Sequence, residues 1–472
     1  MVSRDSKGKR LVGYCDPLSV APGDTVRFMV SSLDGESFDA KLVRLICGDV
    51  SPGGHGFDED EVESTAEGRH PGVEQPLRPG SYAVVDPHPL LAKLGSLVVE
   101  LALWPTRPCA RPQVLVSTWE RGSGFAVLLD GEGRLAAEVG TYGGDRRRLS
   151  LAGPVPARRW TRVRVVFDEA DGSFRVTCST IPQSPSEQAV YRPSEASCIV
   201  DGAVGSRGPL VFGAEFDEAG VAKDHFNGRL DECRLGDDTQ AEPSVRWDFS
   251  IDFGTARIID VGAHGLHGRT VQLPARAVPG VRWNGDIHDW RLDPSHYGAI
   301  HFHDDDLVDA GWDPSFMLDL PEDIPSGVYA LRLRTSTSED YVPFFVVPGP
   351  QTGRADVAYL APTVTYRAYA NARLTARPDR IFGSGAQQQV ENDRFLFEHP
   401  RVGLGTYERH SDGSGVMFSS HLRPVLNLKP KGGVWSFTAD TNVTAWLRHT
   451  GVPFDVLTDD VRDAHVLSGD GE

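Results

Sequence analysis

Over most of the chain, apolar residues recur at every second position in short stretches that end at Gly, Pro or Asp. Residues 25–30 and 41–46 are such stretches, and the turn residues Pro22-Gly23-Asp24 precede them, so strand, turn and strand are predicted over residues 18–50. Residues 51–80 collect Gly, Pro, His and acidic side chains without a period. A long exposed loop is expected there, with Asp58-Glu59-Asp60-Glu61 as solvated surface. Alternation returns at residues 96–103, 124–129, 160–167 and 173–178, and again at 327–334 and 341–347, ending at Pro348-Gly349-Pro350. From Arg354 the texture changes. Residues 355–360 read as a buried strand, and 442–450 as a helix capped by Asp440, Thr441 or Asn442 and closed by Gly451. Residues 454–457 read as a further strand. Helix alternating with strand predicts an α/β arrangement on a parallel sheet.

One stretch adds a topology. Phe226-Asn227-Gly228-Arg229-Leu230-Asp231-Glu232-Cys233-Arg234-Leu235 resembles the closing strand of laminin-G and concanavalin-like jelly rolls, and Trp160-Thr161-Arg162-Val163-Arg164-Val165 resembles their central strand. The expected fold class is therefore multidomain, β plus α/β: a β-sandwich with an inserted lectin-like jelly roll, followed by an incomplete α/β domain. The expected boundaries are residues 11–80 for the first part of the sandwich, 90–283 for the jelly roll, 284–349 for the second part of the sandwich, and 354–472 for the α/β portion. Such sheets usually need more β-α units than 120 residues hold, so the end at Gly469-Asp470-Gly471-Glu472 reads as a truncation.

Composition narrows the function classes. A net charge of −18 with no Lys/Arg stripe to offset it would repel a phosphate backbone, so nucleic acid is not an expected partner. Residues 1–10 are polar, and no apolar span approaches the ~20 residues a membrane helix needs. A soluble cytoplasmic protein is expected. Cys15, Cys47, Cys109, Cys178, Cys198 and Cys233 show no CxxC or zinc-ribbon spacing, which predicts free thiols in the core.

Three groups of residues could carry chemistry. His301-Phe302-His303-Asp304-Asp305-Asp306 puts alternate His side chains on one side of an extended segment and follows them with three carboxylates, a donor set suited to a metal or to hydrogen bonds with the loop's own backbone. Ser414, in Asp412-Gly413-Ser414-Gly415, has His410 and His421 near it in sequence. It lacks the G-x-S-x-G elbow, so a flexible loop is expected over a hydrolase nucleophile. Tyr366 and Tyr369 follow the strand predicted at 355–360, where α/β folds build their sites, and Tyr407 lies in a loop-rich stretch.

From Gly298 onward the chain resembles the large subunit of N,N-dimethylformamidase. The match is carried by His301 to Asp306 with Ala310-Gly311-Trp312, by Ser326-Gly327-Val328-Tyr329-Ala330 with Val342-Pro343-Phe344-Phe345-Val346, by Thr365-Tyr366-Arg367-Ala368-Tyr369-Ala370-Asn371, and by Asp412-Gly413-Ser414-Gly415 after Tyr407. The resemblance implies a lectin-like β unit before an α/β domain. It also implies a mononuclear ferric ion, Fe(III), held by two tyrosines and a glutamate, which hydrolyses dimethylformamide to formate and dimethylamine. Tyr366 and Tyr407 stand at the tyrosine positions. The glutamate belongs to a His-Pro-Glu-Tyr-type motif that these 472 residues do not contain, so it is expected beyond residue 472. The chain alone is then expected to be inactive. A small amide substrate, a small companion subunit and homo-oligomerisation are implied as partners. The alternative is a non-catalytic lectin-like protein that binds a glycan or another subunit.

Overall fold

The computed structural model describes residues 8–51, 53–92, 96–182, 194–236, 245–349, 354–373, 390–432 and 435–460. Its secondary structure is mostly β-sheet with few helices. The chain end read as a truncation lies outside the described residues. Contacts divide the chain into two compact units: residues 1–78, 307–409 and 415–472 form unit 1, and residues 79–306 with 410–414 form unit 2.

In unit 1, Val26, Phe28 and Val30 are buried while Thr25 and Arg27 face solvent, the alternation of a strand with one wet face. That strand, Thr25–Ser32, pairs antiparallel with Leu11–Asp16 and Phe316–Asp319. A second sheet runs Ser19–Val20, Glu339–Val346, Gly327–Arg334, Phe38–Cys47, Asp58–Val62, with Gly68–His70 also on Phe38–Cys47. One core joins them, in which Phe28, Leu42, Leu331, Leu333 and Phe344 are fully buried. Segments more than 280 residues apart in sequence thus share one apolar interior, and each such side chain contributes about 1.5–3 kcal/mol on burial.

The stretch expected to be a long solvated loop is partly strand. The acidic run lies in Asp58–Val62, where Glu61 bonds Lys41 at 2.6 Å and Arg332 at 2.7 Å, and Glu59 also bonds Arg332. Cross-strand cations neutralise a run that single-sequence reading takes as loop.

The rest of unit 1 holds a two-stranded parallel pair, Val357–Ala361 with Phe454–Thr458. Helix α1 (Thr363–Ala368) follows the first strand directly; α2 (Glu391–Glu398) and α3 (Phe437–His449) come later. Gly451, at φ 70°, closes α3 as expected. The N-terminus of α3 lies five residues earlier than expected. Phe437, Thr438, Thr441, Thr444, Ala445 and Leu447 form a buried helical face, and Ser436 takes the cap position. Thr441 is no cap: its Oγ1 accepts the Gly48 backbone N–H at 2.8 Å.

Unit 2 is built on one extended antiparallel network. In Thr161–Asp168 the side chains of Val163, Val165 and Phe167 are buried and Arg162 is exposed, and the strand lies between Ser96–Pro105 and Ser173–Thr180. Its inner face meets Leu115, Phe125, Val127 and Phe212 in a single core. Trp247 belongs to that core and satisfies its indole N–H on the Leu266 carbonyl at 2.8 Å.

All six cysteines are free thiols. Cys15, Cys47 and Cys233 are buried, but Cys109 is exposed, which departs from the expectation that all are core residues. Among the described residues no helix is long and apolar enough to cross a membrane.

Candidate functional sites

In unit 1 the tyrosines lie around α1, which is anchored from the carboxyl end of the Phe454–Thr458 strand. Asp459 Oδ2 accepts the Val364 N–H at 3.0 Å, and Asp460 Oδ2 accepts the Thr363 hydroxyl at 3.1 Å. Tyr366 is a helical residue and only 3 % exposed. Its ring packs against Phe345 and Phe437, and its hydroxyl donates to Asp440 Oδ2 at 2.7 Å, with the Tyr359 hydroxyl 3.4 Å away. Burial, the adjacent Tyr359 phenol and the Asp440 carboxylate push the Tyr366 phenol far above its ordinary value. Tyr359 is pushed up to about 12, first by burial.

Tyr407 has a different neighbour. It is 66 % exposed and stacks on Tyr369, with ring centroids 3.9 Å apart at 7°, and Tyr369 meets Trp435 edge-on. The Tyr407 hydroxyl, hydrogen-bonded to Tyr369, raises the Tyr369 pKa. Thr406 holds the loop against the end of α1, giving both its N–H (2.8 Å) and its hydroxyl (3.0 Å) to the Ala368 carbonyl. Gly405 permits this approach, since a Cβ there would stand 2.5 Å from the Ala370 carbonyl oxygen.

Asn371, last residue of the Tyr-containing motif, is fully buried at φ 58°. It donates to the carbonyls of Val402 and Pro424 at 3.1 and 3.0 Å and accepts the Leu426 N–H at 2.8 Å. The buried Arg423 donates to the Leu404 carbonyl at 2.6 Å and the Ser419 hydroxyl at 2.9 Å, and burial lowers its pKa to about 10. Asp440, Tyr359 and Arg423 were not singled out from the sequence. Only Asp440 leaves a trace in the sequence, as one of three cap candidates beside Thr441 and Asn442.

The oxygen donors near Tyr366 suit a hard cation in kind, being phenols and a carboxylate. Tyr366 is nevertheless held protonated, so an ion would have to take the place of a proton. Among the described residues, the ring contacts of Tyr366 run to Phe345 and Phe437 and that of Tyr407 to Tyr369.

Unit 2 holds the second group. Strand Ala299–Phe302 pairs with Gly228–Gly236 and Ala275–Val278. Ile300 and Phe302 point into the main core, which leaves Ala299 and His301 for the opposite face, where Trp104 meets His301 edge-on. His303 continues past the strand, with its ring centroid 4.2 Å from that of His301 and 3.8 Å from that of His410. The turn at 410–414 brings Asp412 to them, with Gly413 at φ 88°. His301 Nε2 lies 3.1 Å and His303 Nε2 3.8 Å from Asp412 Oδ2. His303 Nε2 is 2.9 Å from Ser414 Oγ, and its Nδ1 is 3.2 Å from Asp306 Oδ2.

The Ser414 hydroxyl thus meets the His303 ring and not that of His410 or His421, although the Ser414 carbonyl accepts the His410 N–H at 2.9 Å; His421 is in unit 1, 3.5 Å from Asp16. The line Ser414–His303–Asp306 has the outline of a nucleophile, base and orienting acid. The Ser414 hydroxyl, however, donates to Asp412 Oδ1 at 2.5 Å, so its one proton is directed away from the histidine. Burial lowers the His301 pKa to about 4. Burial works to raise Asp412, but hydrogen bonds from His301 and Ser414 outweigh it and hold the carboxyl far below the usual range. Burial works to lower His410, and its bond to Asp305 with the neighbouring carboxylates raises it.

The fold and these two groups define a β-rich protein of two units, one carrying a phenol cluster and the other a histidine–carboxylate cluster. Residues 275–470 match the family described as N,N-dimethylformamidase beta subunit-like, C-terminal. The chain is 35% identical over 499 aligned residues to the N,N-dimethylformamidase beta subunit of Paracoccus aminophilus, covering 96% of the chain and 65% of that relative. It is 34% identical to the beta subunit of the same name from an Alcaligenes species, covering 95% of the chain and 64% of the relative. The chain is thus similar to N,N-dimethylformamidase beta subunits along almost its whole length and spans about 65% of the length of these relatives. Solved structures with some likeness include a pentraxin from Limulus polyphemus (13% identity, 42% of this chain, 75% of that one, TM-score 0.24) and mouse laminin alpha1 domains LG4-5 (13%, 38%, 47%, 0.24).

Proposed function

We propose that this chain is the large-subunit polypeptide of an amide hydrolase that takes a small N-substituted formamide, such as N,N-dimethylformamide, to formate and dimethylamine. The observation that carries the reading is the 35% identity extending over 96% of the chain to a beta subunit of that name. A small companion subunit and self-association belong to the same proposal. So does the assignment of the parallel pair Val357–Ala361 and Phe454–Thr458, with α1 and α3, to an α/β catalytic domain.

Tyr366 and Tyr407 are the proposed ligands of a mononuclear ferric ion, with a glutamate from outside these 472 residues as the third. When bound, such an ion supplies Lewis acidity toward an amide carbonyl and toward water. The chain's own part is to prepare the phenols. Tyr366 must lose its proton to ligate, and Asp440, 2.7 Å away, is the group placed to receive it. Phe345 and Phe437 keep water from the Tyr366 ring. Tyr407, exposed and braced on Tyr369, leaves an open side for a small neutral substrate.

The test is iron content and formate release by the purified 472-residue chain, alone and co-expressed with a polypeptide covering the part of the relatives it does not match. The chain alone is expected to release no formate, and the pair to gain both iron and activity. Iron-dependent formate release by the chain alone would overturn its proposed inactivity. A soluble pair with neither iron nor formate release would overturn the reading as a whole.

A further inference from the structure

We propose that His301, His303 and Asp412 in unit 2 form a binding site for a divalent transition-metal cation of the zinc class, separate from the tyrosines of unit 1. The argument does not depend on the amide-hydrolase reading. Ligand atoms of these three residues lie within 4.8 Å of one another, and all three residues are buried. A tetrahedral ion with bonds of ~2.0 Å sets its ligand atoms roughly 3.3 Å apart. Asp412 Oδ2 is 3.1 Å from His301 Nε2 and 3.8 Å from His303 Nε2, so small rotations of the side chains suffice to receive an ion. Ser414 Oγ, 2.9 Å from His303 Nε2, stands where a fourth ligand or a water held by it would be.

The surroundings are those of a metal site. A ligating imidazole commonly gives its other ring N–H to a carboxylate, which fixes tautomer and orientation. His303 Nδ1 has that partner in Asp306 Oδ2 at 3.2 Å, and Asp306 is fixed in turn by the Ser81 hydroxyl at 2.6 Å. The face of the His303 ring is covered by His410 at 8°. His410 is itself held by Asp305, with 2.7 Å from Nδ1 to Oδ1. His301 stays on one face of its strand because its pairing partners on either side are Arg229 and Ala275.

Charge points the same way. Asp304 is paired with Arg111 at 3.0 Å and Asp305 with His410. Asp306 and Asp412 meet imidazoles, hydroxyls and the backbone, while the Asp412 side chain is 0 % exposed. Arg229 lies over the Trp104 ring and donates to the Pro279 carbonyl, and Arg158 reaches the Asp412 backbone carbonyl, not its carboxylate. Arg229 acts on Asp412 through space without an ion pair, and a buried carboxylate that is not directly paired with a cation is costly, a cost that a bound divalent cation lowers. Ser411 and Gly413 on the same turn are exposed, so an ion has a short way in.

The experiment takes the full chain through a chelator and back into metal-free buffer, then titrates Zn2+ with thermal stability as readout and Co2+ with visible absorption. Expected are one equivalent bound per chain at micromolar metal, a rise in Tm, and Co2+ bands of tetrahedral intensity. His303→Gln and Asp412→Asn should lose the equivalent and the bands, whereas Tyr366→Phe with Tyr407→Phe should keep both. Circular dichroism and metal-free Tm show whether each variant is folded. Failure of the unaltered chain to take up metal overturns the proposal without any variant, as does an equivalent that survives in folded Asp412→Asn or disappears in the tyrosine double variant.

Discussion

Tyr366 gives its phenolic hydrogen to Asp440 across 2.7 Å, joining the first helix after the Val357–Ala361 strand to the first turn of α3. The pair makes Tyr366 a packed structural residue in the metal-free chain and places a proton acceptor beside the phenol proposed to ligate iron.

Tyr366→Phe should therefore lower stability by about 1–2 kcal/mol, as expected for a part-buried hydrogen bond to a carboxylate. Denaturant midpoints of the metal-free chain measure this. In a complemented, iron-loaded protein the same change should abolish a visible phenolate band that Tyr369→Phe retains. The opposite pattern would move the ligand three residues along.

Gly405→Ala should loosen the Tyr407 loop. Its Cβ would collide with the Ala370 and Ala368 carbonyl oxygens, at 2.5 and 2.9 Å, and both of these are backbone atoms. A loss of roughly 1–3 kcal/mol is expected, with a weaker near-ultraviolet circular dichroism signal as Tyr407 leaves Tyr369. An unchanged signal and an unchanged Tm would show that the loop is held by other contacts.

Asp231 gives a pH dependence. Burial raises its pKa to about 7, although the Val281 and Glu232 backbone N–H groups donate to it at 2.9 and 2.7 Å. The folded value exceeds the unfolded one, so the native state binds more protons between about pH 4 and 7. Its contribution to stability is fully present below pH 4 and is lost as pH rises through 7. At 1.36 kcal/mol per unit the loss is on the order of a few kcal/mol. Asp231→Asn should compare progressively better with the parent between pH 4 and 8, read as the difference in Tm. A difference independent of pH would show that Asp231 is ionised throughout.

The boundaries of unit 2 predict which fragment folds. Residues 79–306 keep the Tyr82–Val85 and Ala299–Phe302 strands, which pair with Leu210–Phe212 and Gly228–Gly236. Residues 90–283 lack both strands and expose those edges. The longer fragment should unfold cooperatively with the higher Tm, and the shorter should aggregate. Equal stability would show the two outer strands to be dispensable.

Alternating positions such as Val163, Val165 and Phe167 disclosed their strand directly, because one wet face and one dry face write a period of two into the sequence. Gly451 likewise marked the end of α3. The acidic residues 58–61 hid a strand, since the cations that neutralise them, Lys41 and Arg332, come from elsewhere in the chain. The start of α3 is obscured because half of its buried face is threonine. Tyr366 and Tyr407 stand out by position as candidates, but only the family resemblance gives them a role as ligands. Their partners Asp440 and Tyr369 are set by packing, on which local sequence is silent. The contact of Asp412 with His301 joins residues 111 apart, with no local pattern to record it.

That separation has a consequence for the order in which the protein is made. Unit 2 takes residues 79–306 from one run of chain and 410–414 from another. Its main core can close once the strand Ala299–Phe302 has left the ribosome, yet the carboxylate facing His301 and His303 is not yet synthesised. At 5–20 residues per second the two events are separated by roughly 5–20 s. A nascent unit 2 therefore exists for some seconds as a folded core whose histidines are without Asp412.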